Sequence, residues 1–456
     1  MDWLTQQSVI QYIGFSSRKS AENCGYCRNP DAPETTPDGS EDDGTSGDGK
    51  RSVCFGLWGF RVTPAEYQMF CDYGWRRSGR YFYKPEMEKT CCPLYTIRLD
   101  AAHFALSRSQ KRVLRIWRDF LQFDKKSEVK PQPNKAESAA YAGPRSPKFP
   151  TPQRTEPRPN AGQKRKIMRK ERAIKRMTEK GIDVKEFQRQ REERERARQR
   201  RIEDYIVNYE EGFKHKLELR IVSAGTEEFA DSFEESFLVY KKYQNIIHKD
   251  MDCTKKGFQS FLVDNPFVPR DFEPLFPGGP SEGAHHLQYL IDGKIVAVGV
   301  IDILPNCLSS AYFYYDPDYQ FLNFGTYSAL REIELVRRIM KHKPNFRFYY
   351  MGYYVHNCRK MRYKAAFRPS ELLCDKTHHW VPLPECLKKL NANNGEFAPF
   401  VEDAPPAPEG SVYDCQPIKY TSEEFEKVPV DEVIAHKLAP VAKYIGPNCS
   451  KFYIII

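Results

Sequence analysis

The sequence predicts an α/β chain of the α+β kind, and three observations over residues 285–331 carry that prediction. Two apolar runs, 287–291 and 295–303, flank Asp292-Gly293, a dipeptide suited to the positive φ angles of a tight hairpin turn. A third run at 309–315, rich in aromatic residues, ends at the turn-forming cluster Asp316-Pro317-Asp318. Beyond Phe324-Gly325-Thr326 the apolar period changes from 2 to about 3.6, with Leu330, Ile333, Val336 and Met340 on one helical face. Three strands are therefore expected to lead through a glycine turn into an amphipathic helix. The first N–H groups of such a helix have no intrahelical partner and lie at the positive end of its dipole, so Gly325 and Thr326 are candidate contacts for an anion or a developing oxyanion. His286, Gln288, Asp302, Asp316, Tyr327, Arg331 and Glu332 load this apolar frame with polar groups.

Bulk composition narrows the possibilities. A chain of 456 residues is long for one core and suggests two domains plus linkers. The net charge of +10 suits a polyanionic partner, and most of it lies in residues 164–204, where 17 Lys or Arg face 9 Asp or Glu. The first residues lack a basic start followed by a sustained apolar run, so no signal peptide is expected. No run of eighteen apolar residues occurs, and no membrane partner is expected. Thirteen cysteines without a secretory signal point to a reducing, cytoplasmic compartment.

In chain order, Cys24-Gly25-Tyr26-Cys27 can grip one metal ion from a tight turn, and Cys91-Cys92-Pro93 supplies a second thiol pair on a kinked backbone. Thiolate sets select zinc or an iron–sulfur cluster, although a lone C-x-x-C is equally a redox pair or buried core. Residues 29–52 carry too little apolar surface to order and read as a disordered loop. A strand at 54–60, a helix opening at Thr63-Pro64, a strand at 80–84 and an amphipathic helix at 107–123 follow. Before the second of these strands, Arg76, Arg77 and Arg80 stand among glycines, with Lys84 just beyond. Guanidinium forks on flexible backbone suit bidentate capture of carboxylate or phosphate, against the commoner fate of a solvated basic turn. Residues 124–156 are a Pro-rich linker, and 163–211 read as a long basic helix that either lies along a nucleic-acid backbone or is a solvated insertion. Strands at 215–224 and 346–355, a helix at 226–243, a linker at 391–410 and a tail helix near 430–438 complete the pattern. The expected divisions are 1–125, 126–208, 209–390 and 391–456.

The motifs CGYC, DYGWRRSGRYFYKP and TCCPLYTIRL, then AVGVIDILPNCLSSAYFYYDPDY, FGTYSALREI and YYMGYYVHNCRKMRYKAAFRPSELLC, resemble the eukaryotic arginyl-tRNA-protein transferases in the same order. The resemblance spans residues 8–120 and 225–390 and skips the basic insertion. It implies a GNAT-like transferase core with an N-terminal Cys-rich domain and a long basic helical insertion. The implied activity moves arginine from arginyl-tRNA to the α-amino group of proteins beginning with Asp, Glu or oxidised Cys, marking them for ubiquitin-dependent N-degron degradation in cytoplasm and nucleus. It favours Cys24, Cys27, Cys91 and Cys92 as one set holding zinc or an iron–sulfur cluster. It also gives Arg76, Arg77, Arg80 and Lys84 a task, at the acceptor pocket or the tRNA 3′ end. In a GNAT-like core, strand 346–355 would splay from 309–315 and open a V-shaped cleft above Gly325. A monomer or weak oligomer is expected.

Transfer from an ester to an amine calls chiefly for positioning and oxyanion stabilisation, because an α-amine with a pKa of about 7.7–8.0 is largely ready to attack near neutral pH. No Ser-His-Asp or nucleophilic-Cys signature is present, in keeping with direct attack. The donor guanidinium calls for a carboxylate: Asp302, Asp316 or Glu332. Asp302 stands in an apolar run, where an unpaired carboxylate is costly, whereas Asp316 also reads as a turn residue. His286 is the candidate proton acceptor, but His285-His286-Leu287 departs from the family's Phe-His-Gln, leaving the choice of histidine open. Gln288 is a candidate substrate contact. Tyr289, Tyr327 and Tyr350 are expected to stack on the terminal adenine or else to fill the core. The rival reading is a non-catalytic basic RNA-binding or scaffold protein with a metal-stabilised N-terminal domain. An acetyl-CoA enzyme is disfavoured because 320–325 lacks a Gly/Arg-rich pyrophosphate cradle, and no nucleotide cofactor is expected.

Overall fold

Backbone pairing sorts the strands into two mixed sheets. The computed structural model describes residues 8–18, 26, 52–126, 201–207, 209–268, 273–421 and 425–456, with isolated positions between 168 and 190. Strands β1 (Ser8–Arg18), β2 (Ser52–Arg61), β3 (Arg76–Ser78) and β4 (Tyr81–Pro85) enter the first sheet. The second takes β5 (Tyr95–Asp100), β6 (Leu217–Ser223), β7 (Gly283–Ile291), β8 (Lys294–Leu304), β9 (Cys307–Tyr315), β10 (Phe348–Tyr354), β11 (Ser370–Leu373) and β12 (Trp380–Pro382). The chain then returns to the first sheet as β13 (Gln416–Tyr420), β14 (Phe425–Lys427) and β15 (Phe452–Ile455). Five helices matter below: α1 (Pro64–Asp72), α2 (Arg108–Phe123), α3 (Glu227–Tyr243), α4 (Phe324–Met340) and α5 (Glu432–Ile445). Residues 1–126 with 205–456 form one compact unit, and 127–204 a second. The expected loop at 29–51 and most of the linker and basic insertion lie outside the described residues.

Local chemistry explains the elements nearest the site. Asp292 and Gly293 take φ of 51° and 81°, the left-handed pair a type I′ turn requires, and so join β7 to β8 in register. Thr63 and Glu66 form a reciprocal capping box that starts α1, and Ser107 with Gln110 does the same for α2. The entry to α4 differs from expectation. Asn323, at φ 55°, makes the left-handed turn, and Gly325 is already inside the first helical turn with open space around it. Asparagine tolerates that backbone region better than most residues, so glycine is not what the bend needs.

The tail carries more structure than its sequence suggested. β15 pairs in parallel with β1 and β13, and α5 places Leu438, Val441 and Ile445 in one core with Phe55, Phe70 and Trp75. Both ends of the described chain therefore build the first sheet.

In the second sheet β9 and β10 run parallel but pair only over Cys307–Ser309 and Phe348–Tyr350. Beyond those pairs β9 continues to Tyr315 and β10 to Tyr354, with β10 held on its other edge by β5. Past those pairs the two strands cease to hydrogen-bond each other, which leaves a fork, or wedge, between their ends.

Deleting residues 411–456 is expected to strip amide-exchange protection from β2 and β4 while β7, β8 and β9 keep theirs. Unchanged protection in β2 would show the first sheet to be self-sufficient.

Candidate active site

A buried ion pair joins the two sheets beside this wedge. Arg77 on β3 donates from Nε to Asp302 Oδ2 (2.8 Å) and from Nη2 to Asp302 Oδ1 (2.5 Å), and from Nη1 to the Gly79 carbonyl (3.0 Å). Both side chains are at least 97% buried. Asp302 thus receives a guanidinium, but from its own chain, and both its oxygens are engaged; a donor arginine has no free carboxylate there. Gly325 lies at the far end of β9 from Ser309, the residue paired with Asp302. Six strand residues separate that pairing from Tyr315, about 20 Å at ~3.3 Å each, so Asp302 and the start of α4 do not share one small groove.

Arg76, the neighbouring β3 residue, points into different surroundings. Its Nη1 donates to the Trp75 carbonyl (2.5 Å) and more weakly to Cys71 (3.4 Å), and its guanidinium lies 5.5 Å from the ring centres of both Tyr350 and Tyr353. It is 5% exposed, yet Nε and Nη2 have no acceptor among the described residues. Tyr350 donates to Asp72 (2.5 Å), a carboxyl that burial pushes up, and Tyr353 donates to the Gly74 carbonyl (2.9 Å). Lys364, which sequence reasoning passed over, donates from Nζ to the Tyr353 carbonyl (2.7 Å). Burial, helped by Arg76, pulls its pKa down to about 7. A Cβ on Gly352 (φ 68°) would stand 3.8 Å from that Nζ and 4.0 Å from the Ser310 carbonyl, so the amine sits where β10 leaves β9. Lys84, also buried, faces His378 (3.4 Å) and Asp375 (3.7 Å), while Arg80 is half-buried.

On the α4 face of the wedge, Glu332 accepts from the Tyr349 hydroxyl (2.7 Å) and is bonded to Ser310. Burial raises its pKa to about 7. Gly299 makes room for it: a Cβ there would come 3.1 Å from Glu332 Oε1. The remaining expected residues are tied elsewhere. His286 is sealed against Phe229, bonds the Leu262 carbonyl through Nε2 (3.0 Å), and is lowered to about 4 by burial; Gln288 on the same face donates to Ser232 (2.7 Å). Strand alternation sends both toward α3, away from Glu332. His285 is buried too, between Ser223 and the Ser281 carbonyl. Tyr327 stacks on Trp117 at 3.9 Å, Tyr289 is fully buried, and Asp316 pairs with Lys242 (2.6 Å) while capping its own turn. At the α4 start the Thr326 amide bonds Asn323, whereas those of Phe324 and Gly325 have no acceptor among the described residues.

Cys24 and Cys27 lie outside the described residues. Cys91 and Cys92 pack with Cys358, Leu94, Tyr353 and Val355. Burial pushes the Tyr353 hydroxyl up, and Cys54 and Tyr26 are close enough to add to the shift. Among the described residues no three His, Cys, Asp or Glu side chains are placed to hold a metal.

Two halves of a known family match this chain in order. The N terminus of the arginine-tRNA-protein transferases matches residues 22–112 and their C terminus residues 235–374, so Arg76 and Arg77 fall in the first, Asp302, Glu332 and Lys364 in the second. The arginyl-tRNA–protein transferase 1 of Drosophila melanogaster is 32% identical over 429 residues, covering 84% of this chain and 83% of that one. The chain belongs to the arginyl-tRNA-protein transferase family. The Arabidopsis thaliana transferase 2 agrees, at 31% identity over 82% of this chain and 75% of its own. A Stutzerimonas stutzeri protein named aspartate/glutamate leucyltransferase is 34% identical over 154 residues, 33% of this chain and 56% of that one. Among solved structures, the C-terminal domain of a putative lysylphosphatidylglycerol synthetase from Agrobacterium fabrum covers 30% of this chain and 36% of its own at 13% identity and a TM-score of 0.18, too slight to carry an argument. As a member of the transferase family the chain is an aminoacyltransferase. No helix among the described residues is long and apolar enough to cross a membrane.

In this transferase, Asp302→Asn strands Arg77 in the interior and is expected to cost about 3–5 kcal/mol in urea unfolding. Replacing both partners by apolar residues of similar size should recover most of the loss. Glu332 offers a pH test. Its folded pKa lies above the ordinary 4.5, so its contribution to stability is present below about 4.5 and lost as pH rises through about 7. Glu332→Gln is expected to flatten that fall in melting temperature between pH 4.5 and 7.

Proposed function

We propose that this transferase carries arginine from arginyl-tRNA to the α-amine of proteins whose first residue is acidic, Asp, Glu or oxidised Cys, on a GNAT-like core whose cleft is the β9/β10 wedge. The reading rests on Arg76: a buried guanidinium whose Nε and Nη2 find no acceptor among the described residues is costly, and an incoming carboxylate is the partner that removes the cost. Lys364, within electrostatic reach of Arg76 and with its pKa lowered to about 7, adds an amine that an incoming carboxylate would hold in its charged form. The leucyltransferase relative is named for Asp and Glu acceptors, which supports an acidic acceptor here as well.

With the acidic side chain fixed there, the α-amine is aimed up the wedge at the aminoacyl carbonyl. The amine attacks the ester carbon, its C–O bond to the ribose breaks, and the amine's proton must leave. Glu332, buried on the other face of the sheet with its pKa near 7, would take up that proton by way of Ser310, to which it is bonded at the fork. The unbonded Phe324 and Gly325 amides remain candidates for the oxyanion or a phosphate. Cys24, Cys27, Cys91 and Cys92 are proposed as the zinc or iron–sulfur set; the packing of Cys91 and Cys92 against Tyr353, with Tyr26 nearby, supports one centre. When bound, the metal would join the N-terminal turn to the floor of the acceptor pocket. Marking for degradation, and a cytoplasmic and nuclear location, follow from the same reading.

Labelled arginyl-tRNA offered to peptides beginning with Asp, Glu or Ala tests it: transfer is expected to the acidic starts only, and equal transfer to Ala overturns the acceptor assignment. Arg76→Met is expected to lower kcat/KM for Asp peptides by about 30–100-fold, the loss of a charge-assisted contact of ~2–3 kcal/mol, with folding stability unchanged or raised. A destabilised variant with normal turnover would remove Arg76 from the pocket. Metal content of an anaerobically prepared Cys24→Ser, Cys27→Ser chain should fall; unchanged content counts against the set.

A further inference from the structure

Cys415 and Cys449 are free thiols in the part of the chain that closes the first sheet. Cys415 immediately precedes β13 and Cys449 lies three residues before β15, its parallel partner. Both thiols donate to one acceptor, the Ser411 carbonyl, at 3.7 Å and 3.5 Å. Sharing that acceptor, the two thiols lie close enough to influence each other's ionisation. The backbones carrying them are pressed together: a Cβ on Gly410 would come 2.3 Å from the Gly446 carbonyl oxygen. The thiols themselves are covered, but Ser411, Tyr413 and Asp414 over them face solvent.

A buried thiol on its own is inert, because burial disfavours the thiolate that reacts. A second thiol at hydrogen-bond range changes this. The neighbouring thiol lowers Cys449 toward the thiolate, while Cys415 is held as the thiol. One sulfur is thereby prepared to attack and the other to resolve.

We propose that Cys415 and Cys449 form a peroxide-sensitive dithiol that closes a reversible disulfide between the approaches to β13 and β15. The Cys449 thiolate attacks one oxygen of hydrogen peroxide, the O–O bond breaks, and a sulfenic acid forms with release of hydroxide, which solvent protonates. The Cys415 sulfur then attacks the Cys449 sulfur, the S–O bond breaks, and the thiol proton leaves with that oxygen as water. Two thiols and one peroxide give one disulfide and two waters. The bond anchors the turn that follows α5, whose Tyr444 carbonyl accepts from Nε1 of Trp75 (3.2 Å), the residue before Arg76, and whose Tyr444 ring stacks on Phe55 at 4.5 Å. Closing the intervening loop removes entropy from the unfolded chain, so the oxidised form is the more stable.

The full chain, purified reduced, is treated with limiting hydrogen peroxide, alkylated and mapped by mass spectrometry. The expected product is a linked Cys415/Cys449 peptide pair lighter by two hydrogens, reversed by dithiothreitol, with a melting temperature several degrees above the reduced chain. In Cys415→Ser, dimedone should trap a sulfenic acid on Cys449. Both cysteines found alkylated after the exposed-side Cys253 has oxidised, or Cys449 carried to sulfinic acid with Cys415 still a thiol, overturns the proposal. The wild-type map decides alone if the serine variants do not fold.

Discussion

The pairing of Arg77 with Asp302 is the constraint on which the arrangement around the wedge depends. Neither charge tolerates the interior alone, and the two sit on different sheets, so the fold is held to the one approach of β3 to β8 that lets both hydrogen bonds form. Weaker polar links repeat the theme: Tyr350 to Asp72, Tyr353 to the Gly74 carbonyl, and the Asn306 amide to Gln68. An interface specified by directional bonds holds its register more strictly than one of apolar contact alone.

That register decides what Arg76 meets. Consecutive strand residues point to opposite sides, so once Arg77 is committed to Asp302, Arg76 must face Tyr350 and Tyr353. The aromatic faces offset part of the cost of a buried cation but accept no hydrogen bond from its free N–H groups in the plane of the guanidinium. Stability has been given up at this position, and the open donors lie where β10 leaves β9. On the proposed function, a transferase with little acid–base work to do gains most from a fixed cation at this point, because its rate depends on how the acceptor amine is held. Glu332 on the opposite face of the sheet shows a second buried group of unsettled charge, accommodated by the missing side chain of Gly299.

Much of this was legible beforehand. The Asp292-Gly293 hairpin, the third aromatic strand, the amphipathic helix after it and the capped helices at Thr63 and Ser107 all follow from interactions within a few residues of sequence. The site roles were harder to read. Asp302 was expected to take the donor's guanidinium, but the guanidinium it takes is that of Arg77, 225 positions away in the same chain. His286 looked like a base because nothing local shows that α3 and the Leu262 carbonyl enclose it. Lys364 gave no signal at all: a lysine in a basic stretch reads as solvated until its burial is known.

What the sequence determined by itself is therefore the class of element around Thr63, Ser107 and residues 285–340, the family and the chemistry its residue types suit, because turn preference, apolar period and motif order are local properties. Only the tertiary structure decided which charges neutralise one another and which are left open, and that the tail completes the sheet begun at residue 8. Those outcomes depend on desolvation and on contacts between distant segments. Neither is encoded in any one stretch of the chain.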